Sequence, residues 1–264
     1  MRPAPRTLHN TAQIELWPAW LLRARGNTAA RAIARARWVL RSKQDGRYLA
    51  AVTGGHVQPL AFDGMRAPGM RQALALAASP PREDLLRGRQ LEPHRLAERL
   101  QQLGLDADAY AAATGLALVP EPRVLALAGF DRYQRPLWLR APAARAWQAM
   151  CDAATRDGVA LDAISGYRSH DYQLGIFQRK RAHGQAVQAI LQVNAAPGFS
   201  EHHSGLALDI GTPGEPPAEE TFEHTAAFAW LQSDAGQHGF AMSYPRDNPN
   251  GIVYEPWHWR FDPG

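Results

Sequence analysis

The sequence predicts an α+β fold, a small and mostly antiparallel sheet flanked by helices, with an N-terminal extension. Three observations carry this. From about Val119 onward, short elements follow one another between turn signals. Helical and strand-like periods alternate there irregularly, without the repeated strand–helix–strand units of a parallel sheet. Residues 1–118, in contrast, are rich in Arg, Ala and Leu and show no catalytic pattern. They are expected to form a partly helical or disordered extension, and residues 119–264 a separate domain.

Within the extension, the apolar stretch 14–22 is interrupted by Glu15 and Pro18. No run reaches the ~18 to 20 apolar residues that a membrane span needs. The net charge is +4, and much of the excess lies in Arg23, Arg25, Arg31, Arg35, Arg37, Arg41, Lys43 and Arg47. Such a run fits a solvated tail better than a nucleic-acid platform, because few aromatics are interleaved for base stacking. No nucleic-acid partner is expected. Met1 is not followed by the basic, apolar and small segments of an export signal, and the Ala/Leu run 73–78 is too short to be one. Residues 78–83, with Ser79, Pro80 and Pro81, read as a linker. In 95–103, Leu96, Leu100 and Leu103 recur at i, i+4 and i+7, a short amphipathic helix.

In the C-terminal part, Trp147, Met150, Cys151 and Ala154 recur at helical spacing over 143–155, and Asp157-Gly158 is a stop signal. Cys151 is the only cysteine, so an internal disulfide and a cysteine zinc cluster are both excluded; a small core residue is expected rather than a thiol nucleophile. Residues 159–164 read as an apolar strand and Ser165-Gly166 opens a loop. Residues 170–191 read as a helix stopped before Pro197-Gly198. Residues 206–210 read as a strand, with Ala207 and Asp209 on one face. A helix over 222–238 is closed by Gly239, and strand-like pieces follow at 240–244, 252–254 and 257–261.

Three clusters in this part carry chemistry: Ser165-Gly166-Tyr167-Arg168-Ser169, then Ser200-Glu201-His202-His203-Ser204-Gly205-Leu206-Ala207-Leu208-Asp209, then Glu255-Pro256-Trp257-His258-Trp259-Arg260. A hydrolytic zinc site needs three imidazole or carboxylate ligands and an open fourth position. His202, His258 and Asp209 offer such groups, and Glu255 lies close to His258 in sequence, where a general base is needed. This is not the helical H-E-x-x-H arrangement. Nor is it a serine hydrolase: Ser200 and Ser204 lack the G-x-S-x-G elbow. The bland alternatives are that Glu255 pairs with Arg260, that Arg168 is a structural ion-pair partner, and that His203 is an ordinary histidine off the pattern.

The motifs S-x-H-x-x-G-x-A-x-D and E-x-W-H-x-R, preceded by S-G-Y-R-S, resemble those of the VanY/LdcB-type D-alanyl-D-alanine carboxypeptidases of peptidase family M15. These share a fold with the hedgehog signalling domain and D-Ala-D-Ala dipeptidases. The resemblance spans roughly 119–261. It implies a zinc ion (Zn2+) held by His202, Asp209 and His258, with Glu255 as general base. Arg168 would bind the peptide's carbonyl oxygen or its terminal carboxylate, and Gln173 and Ser200 would contact substrate. Ser243, before Tyr244, stands where relatives often carry a basic residue.

The resemblance implies hydrolysis of the terminal D-alanine bond of peptidoglycan stem peptides or their fragments. Four alternatives share the site: an L,D-carboxypeptidase, a D-Ala-D-Ala dipeptidase, an endolysin-type peptidase, and a non-catalytic zinc-stabilised binding module. Glu255 and Arg168 argue against the last, since a structural zinc site needs neither. The substrate implies the cell envelope or periplasm. Without an export signal, recycling of wall fragments in the cytoplasm stays open. Nothing in the sequence sets the oligomeric state.

Overall fold

A computed structural model of the chain describes residues 4–24, 26–80 and 88–262. Arg25, Met1, and positions 81–83 of the expected linker lie outside the described residues. The contacts divide the chain into two units, one formed by Met1–His94 with Glu121–Ala126 and the other by Arg95–Pro120 with Leu127–Gly264.

In the first unit, runs of aromatic, β-branched and aliphatic residues become strands rather than a disordered tail. They are β1 (Thr7–Asn10), β2 (Ile14–Pro18), β3 (Trp38–Ser42), β4 (Tyr48–Thr53) and β5 (His56–Pro59). Each pairs antiparallel with the next, except that β2 reaches β3 past helix α1 (Asn27–Arg35). The first residues of β6 (Val124–Phe130) pair with β1. Ile14, Leu16, Trp38, Leu40 and Val52 pack with Met70, Ala73 and Ala77 of helix α2 (Met70–Ala78). Val39, between Trp38 and Leu40 and so on the opposite face, packs with Ile33 of α1. Both faces are covered.

The basic run is also partly absorbed. Arg41 donates to Glu15 at 2.8 Å and stacks over Trp17, while Lys43 is buried against Glu121. Among the described residues, this unit is an antiparallel sheet with the helices α1 and α2.

The second unit begins before the expected boundary at 118. Helices α3 (Leu96–Gln101) and α4 (Ala107–Thr114) supply Leu100 and Tyr110 to a core shared with Ala195, Ala196, Phe199, Tyr244 and Ile252. Arg99 of α3 pairs with Asp171 at 2.6 Å, and Val119 N–H donates to the Gly198 carbonyl at 2.7 Å. After β7 (Pro136–Leu139) comes helix α5 (Ala141–Arg156). A four-stranded antiparallel sheet follows, in the order β10 (Phe240–Met242), β11 (His258–Phe261), β9 (Ala207–Gly211), β8 (Asp162–Ser165).

Three expected elements differ. The helix expected over 170–191 is two, α6 (His170–Ala182) and α7 (Val187–Gln192). Gly184 lies between them at φ +85°, a left-handed conformation that ends a helix. The helix expected over 222–238 is α8 (Ala226–Asp234) with 3-10 turns on either side, because the Thr225 hydroxyl caps α8 by accepting from Phe228 N–H. Residues 252–254 are not a strand; Ile252 is a buried core residue of an irregular segment.

Candidate metal centre

Strand register builds the site. Asp209 of β9 lies directly opposite His258 of β11, and Ser165 of β8 opposite Asp209 on its other side. Directly opposed residues share a sheet face, so the carboxylate and the imidazole meet across the strands. His258 Nδ1 stands 3.1 Å from Asp209 Oδ1. His202 arrives from the 3-10 turn Glu201–Ser204, which Gly205 closes at φ +68° before β9 starts. Its Nε2 lies 3.2 Å from the same Oδ1.

One ligand atom from each of His202, Asp209 and His258 lies within 4.8 Å of the others, and all three residues are buried. The donor set fits an open zinc site of three nitrogen and oxygen ligands. The outer contacts fit as well. His202 Nδ1 is 2.7 Å from the Gly166 carbonyl, which can only accept, so the proton sits on Nδ1 and the Nε2 lone pair faces inward. Gly166 lets this loop lie close against β7, since a Cβ there would stand 2.9 Å from the Trp138 carbonyl oxygen. His258 Nε2 donates to Glu201 Oε2 at 2.9 Å, which leaves Nδ1 for the metal.

The electrostatics separate the groups. Burial pushes His202 down to about 4, with Arg168 adding to the effect, so its imidazole is neutral. Burial opposes charge on His258 too, but hydrogen bonds to Asp209 and Glu201 outweigh it and raise it to about 10. A metal must therefore displace the Nδ1 proton. Asp209 is held well below the usual carboxylate range, its burial overcome by the Arg168 guanidinium and the hydrogen bond from His258. Glu255 goes the other way: burial raises it to about 7, with His258 opposing.

All seven residues singled out in the sequence line one cavity of about 270 Å³: Arg168, Gln173, Ser200, His202, Asp209, Glu255 and His258. Glu255 Oε2 stands 3.8 Å from His258 Nδ1. The alternative pairing of Glu255 with Arg260 is absent among the described residues; Arg260 faces Glu201 instead, at 3.7 Å. Arg168 donates from Nη2 to Asp209 Oδ2 and from Nε to Ser165 Oγ at 2.9 Å. Gln173 is buried and donates from Nε2 to the Ala195 carbonyl at 2.9 Å, while its Oε1 has no hydrogen-bond partner among the described residues. Ser204 Oγ donates to the Glu201 carbonyl at 2.6 Å, a turn contact rather than a nucleophile.

Sequence reasoning missed Glu201, Lys180 and Tyr244. The signal for Glu201 was its place between Ser200 and His202, but nothing in one dimension pairs it with His258. Burial opposes charge on Glu201, but His258 first and then a hydrogen bond from Ser243 hold it ionised. His203, set aside as ordinary, is fully buried: its Nδ1 lies 2.7 Å from the Arg168 carbonyl, and its Nε2 accepts from Gly198 N–H at 3.1 Å.

Residues 136–264 match the family model described as VanY: D-alanyl-D-alanine carboxypeptidase. The bifunctional D-Ala-D-Ala dipeptidase and D-Ala-D-Ala carboxypeptidase VanXYC of Enterococcus gallinarum is 31% identical over 149 residues, which cover 53% of this chain and 75% of the relative. The chain belongs to the VanY D-alanyl-D-alanine carboxypeptidase family. Another relative of this VanY-family chain is the putative carboxypeptidase YodJ of Bacillus subtilis (strain 168), 37% identical over 50% of this chain and 49% of the relative. The chain spans 40 to 49% of the length of three curated relatives. Among solved structures, a point mutant of the vancomycin resistance D,D-pentapeptidase VanY from a VanB-type resistance cassette, in complex with Zn(II), is 32% identical. That match covers 47% of this chain and 73% of the other, with a TM-score of 0.41.

Proposed function

We propose that the chain is a zinc-dependent D,D-carboxypeptidase that removes the terminal D-alanine from peptidoglycan stem peptides or their fragments, which places its work at the cell envelope. The observation that carries this reading is the convergence of the His202, Asp209 and His258 ligand atoms with Glu255 and Arg168 around one cavity. Zinc held by the triad supplies Lewis-acid polarisation of a carbonyl and an acidified water.

The chain's own residues do the rest. Glu255, beside the triad but not part of it, takes a proton from the attacking water and passes it to the leaving amine. Arg168 is fixed by Asp209 and Ser165 with its guanidinium against the triad. There it stabilises the negative charge that grows on the scissile carbonyl oxygen. Gln173 offers its unpaired Oε1 to a substrate N–H. Ser200, at the entry to the 3-10 turn, lines the same wall.

The test is to incubate the zinc-loaded protein with a muramyl pentapeptide and, separately, its tetrapeptide, and to read products by mass spectrometry. Glu255→Ala and a chelated sample are the controls. Loss of one alanine from the pentapeptide, abolished by both controls, is the expected result. Loss from the tetrapeptide alone would make the enzyme an L,D-carboxypeptidase. No cleavage of either peptide with stoichiometric zinc would overturn the reading.

A further inference from the structure

Arg168 is already committed on two sides. Its Nη2 is held by Asp209 and its Nε by Ser165, which fixes it beside the metal ligands, where a scissile carbonyl lies. A peptide cut at its last bond carries a second negative group, the free terminal carboxylate, one residue further on. That group enters the same cavity, where a second cation would give it a charge-assisted partner.

Lys180 is placed to supply one. It lines the cavity, half-buried in the last turn of α6. It follows Gln173 by seven residues, two helical turns along the same face. Its basic neighbours are engaged elsewhere: Arg179 lies over the Tyr172 ring at 5.7 Å, and Arg181 Nη1 donates to the Gln102 carbonyl at 3.1 Å. Lys180 has no ion-pair or hydrogen-bond partner among the described residues. A basic last turn is favourable in any helix because of the macrodipole. That explanation covers all three residues alike and gives no reason for one of them to line the cavity. Burial lowers the Lys180 pKa, Arg168 adds to this and Glu255 opposes it, so its amine stands within the field of both groups. An anion beside it favours the charged form.

We propose that Lys180 is the terminal-carboxylate subsite: its ammonium pairs with the free C-terminal carboxylate of the peptide and sets the preference for cutting at chain ends. The inference rests on the carboxypeptidase reading. Lys180 is on this account a specificity-determining residue, and Arg168 is reserved for the carbonyl oxygen.

Titration calorimetry of D-alanyl-D-alanine and of its C-terminal amide, on the zinc-loaded protein, tests it, with mass spectrometry of the same samples to check that the dipeptide is intact. The wild type should bind the acid at least about tenfold tighter than the amide, as a charge-assisted contact of ~1.5 kcal/mol or more requires. Lys180→Met and Lys180→Gln should bring that ratio to near one by weakening the acid alone, and Lys180→Arg should keep most of it. A ratio that survives both neutral variants, or a wild type with no preference, overturns the subsite. The two readings fail separately. A wild type that discriminates but releases no D-alanine from the pentapeptide keeps the subsite and sinks the reaction. One that releases D-alanine while its acid preference is indifferent to Lys180 does the reverse.

Discussion

Three carboxylates stand around His258, and their surroundings give them different work. Asp209 shares its Oδ1 between two imidazoles, Glu201 accepts from the far side of His258, and Glu255 approaches without a close bond. Glu255→Gln should therefore lower kcat by ~100-fold or more, as loss of a general base does, while zinc affinity changes little. Weakened zinc binding in a chelator competition would show Glu255 to be a ligand. Glu201→Gln should do the opposite, weakening zinc by about 10- to 100-fold, the usual cost of losing an outer-shell partner. Unchanged affinity would mean that Glu201 does not orient His258. Cys151 makes a further test at this scale. Burial pushes its thiol up to about 12, and a raised acid pKa means a neutral group at pH 8, with thiolate near one part in ten thousand. Iodoacetamide should modify it ~1,000-fold more slowly than a free cysteine at pH 8, gaining about tenfold per pH unit. Rapid stoichiometric labelling would place the thiol at the surface.

Among the elements, the segment Ser200–Asp209 depends on contacts from α3 and α4, which the sequence assigns to the extension. Gly198, at φ +93°, carries the turn before Ser200, and a Cβ there would meet Leu96 Cδ1 at 2.5 Å. Gly198→Ala should cost about 1 to 3 kcal/mol in denaturant unfolding, from backbone strain and the displaced leucine. Asp171→Ala leaves the Arg99 guanidinium buried and unpaired, at a cost of about 3 kcal/mol. A neutral result for Asp171→Ala would mean that α3 is not anchored through this pair.

These contacts also explain what was legible. The helix around Trp147 announces itself by period, because one face is buried and the pattern is local. The strand carrying Asp209 is buried on both faces. It is legible only because small and polar Ala207 and Asp209 alternate with Leu206, Leu208 and Ile210. The three site motifs were legible as residue types, but the His258–Asp209 register and the Glu201 contact are long-range and leave no local trace. β3 and β4 were missed for another reason. Both faces are covered, so Trp38, Val39 and Leu40 form a continuous apolar run that lacks strand alternation. Arg41 and Lys43 likewise read as solvated charge until Glu15 and Glu121 are brought to them.

At the scale of the whole molecule, every proposed zinc ligand, and each core residue named beneath the site, belongs to the second unit. A ligand that binds only the folded state stabilises what it binds by RT ln(1 + [L]/Kd), about 2.7 kcal/mol at a hundredfold excess over Kd. Zinc should thus slow exchange of the slowest amides in β9 and β11 by up to ~100-fold, since these open only when the site is lost. Amides of β3 and β4 should exchange at the same rate with and without metal, for no ligand or core residue named around the site lies in that sheet. Hydrogen exchange followed by mass spectrometry, on the intact chain with zinc and with chelator, separates the outcomes. Equal slowing in β3 and β4 would mean that both units open in one cooperative step. Slowing in neither would mean that His202, Asp209 and His258 do not hold the ion.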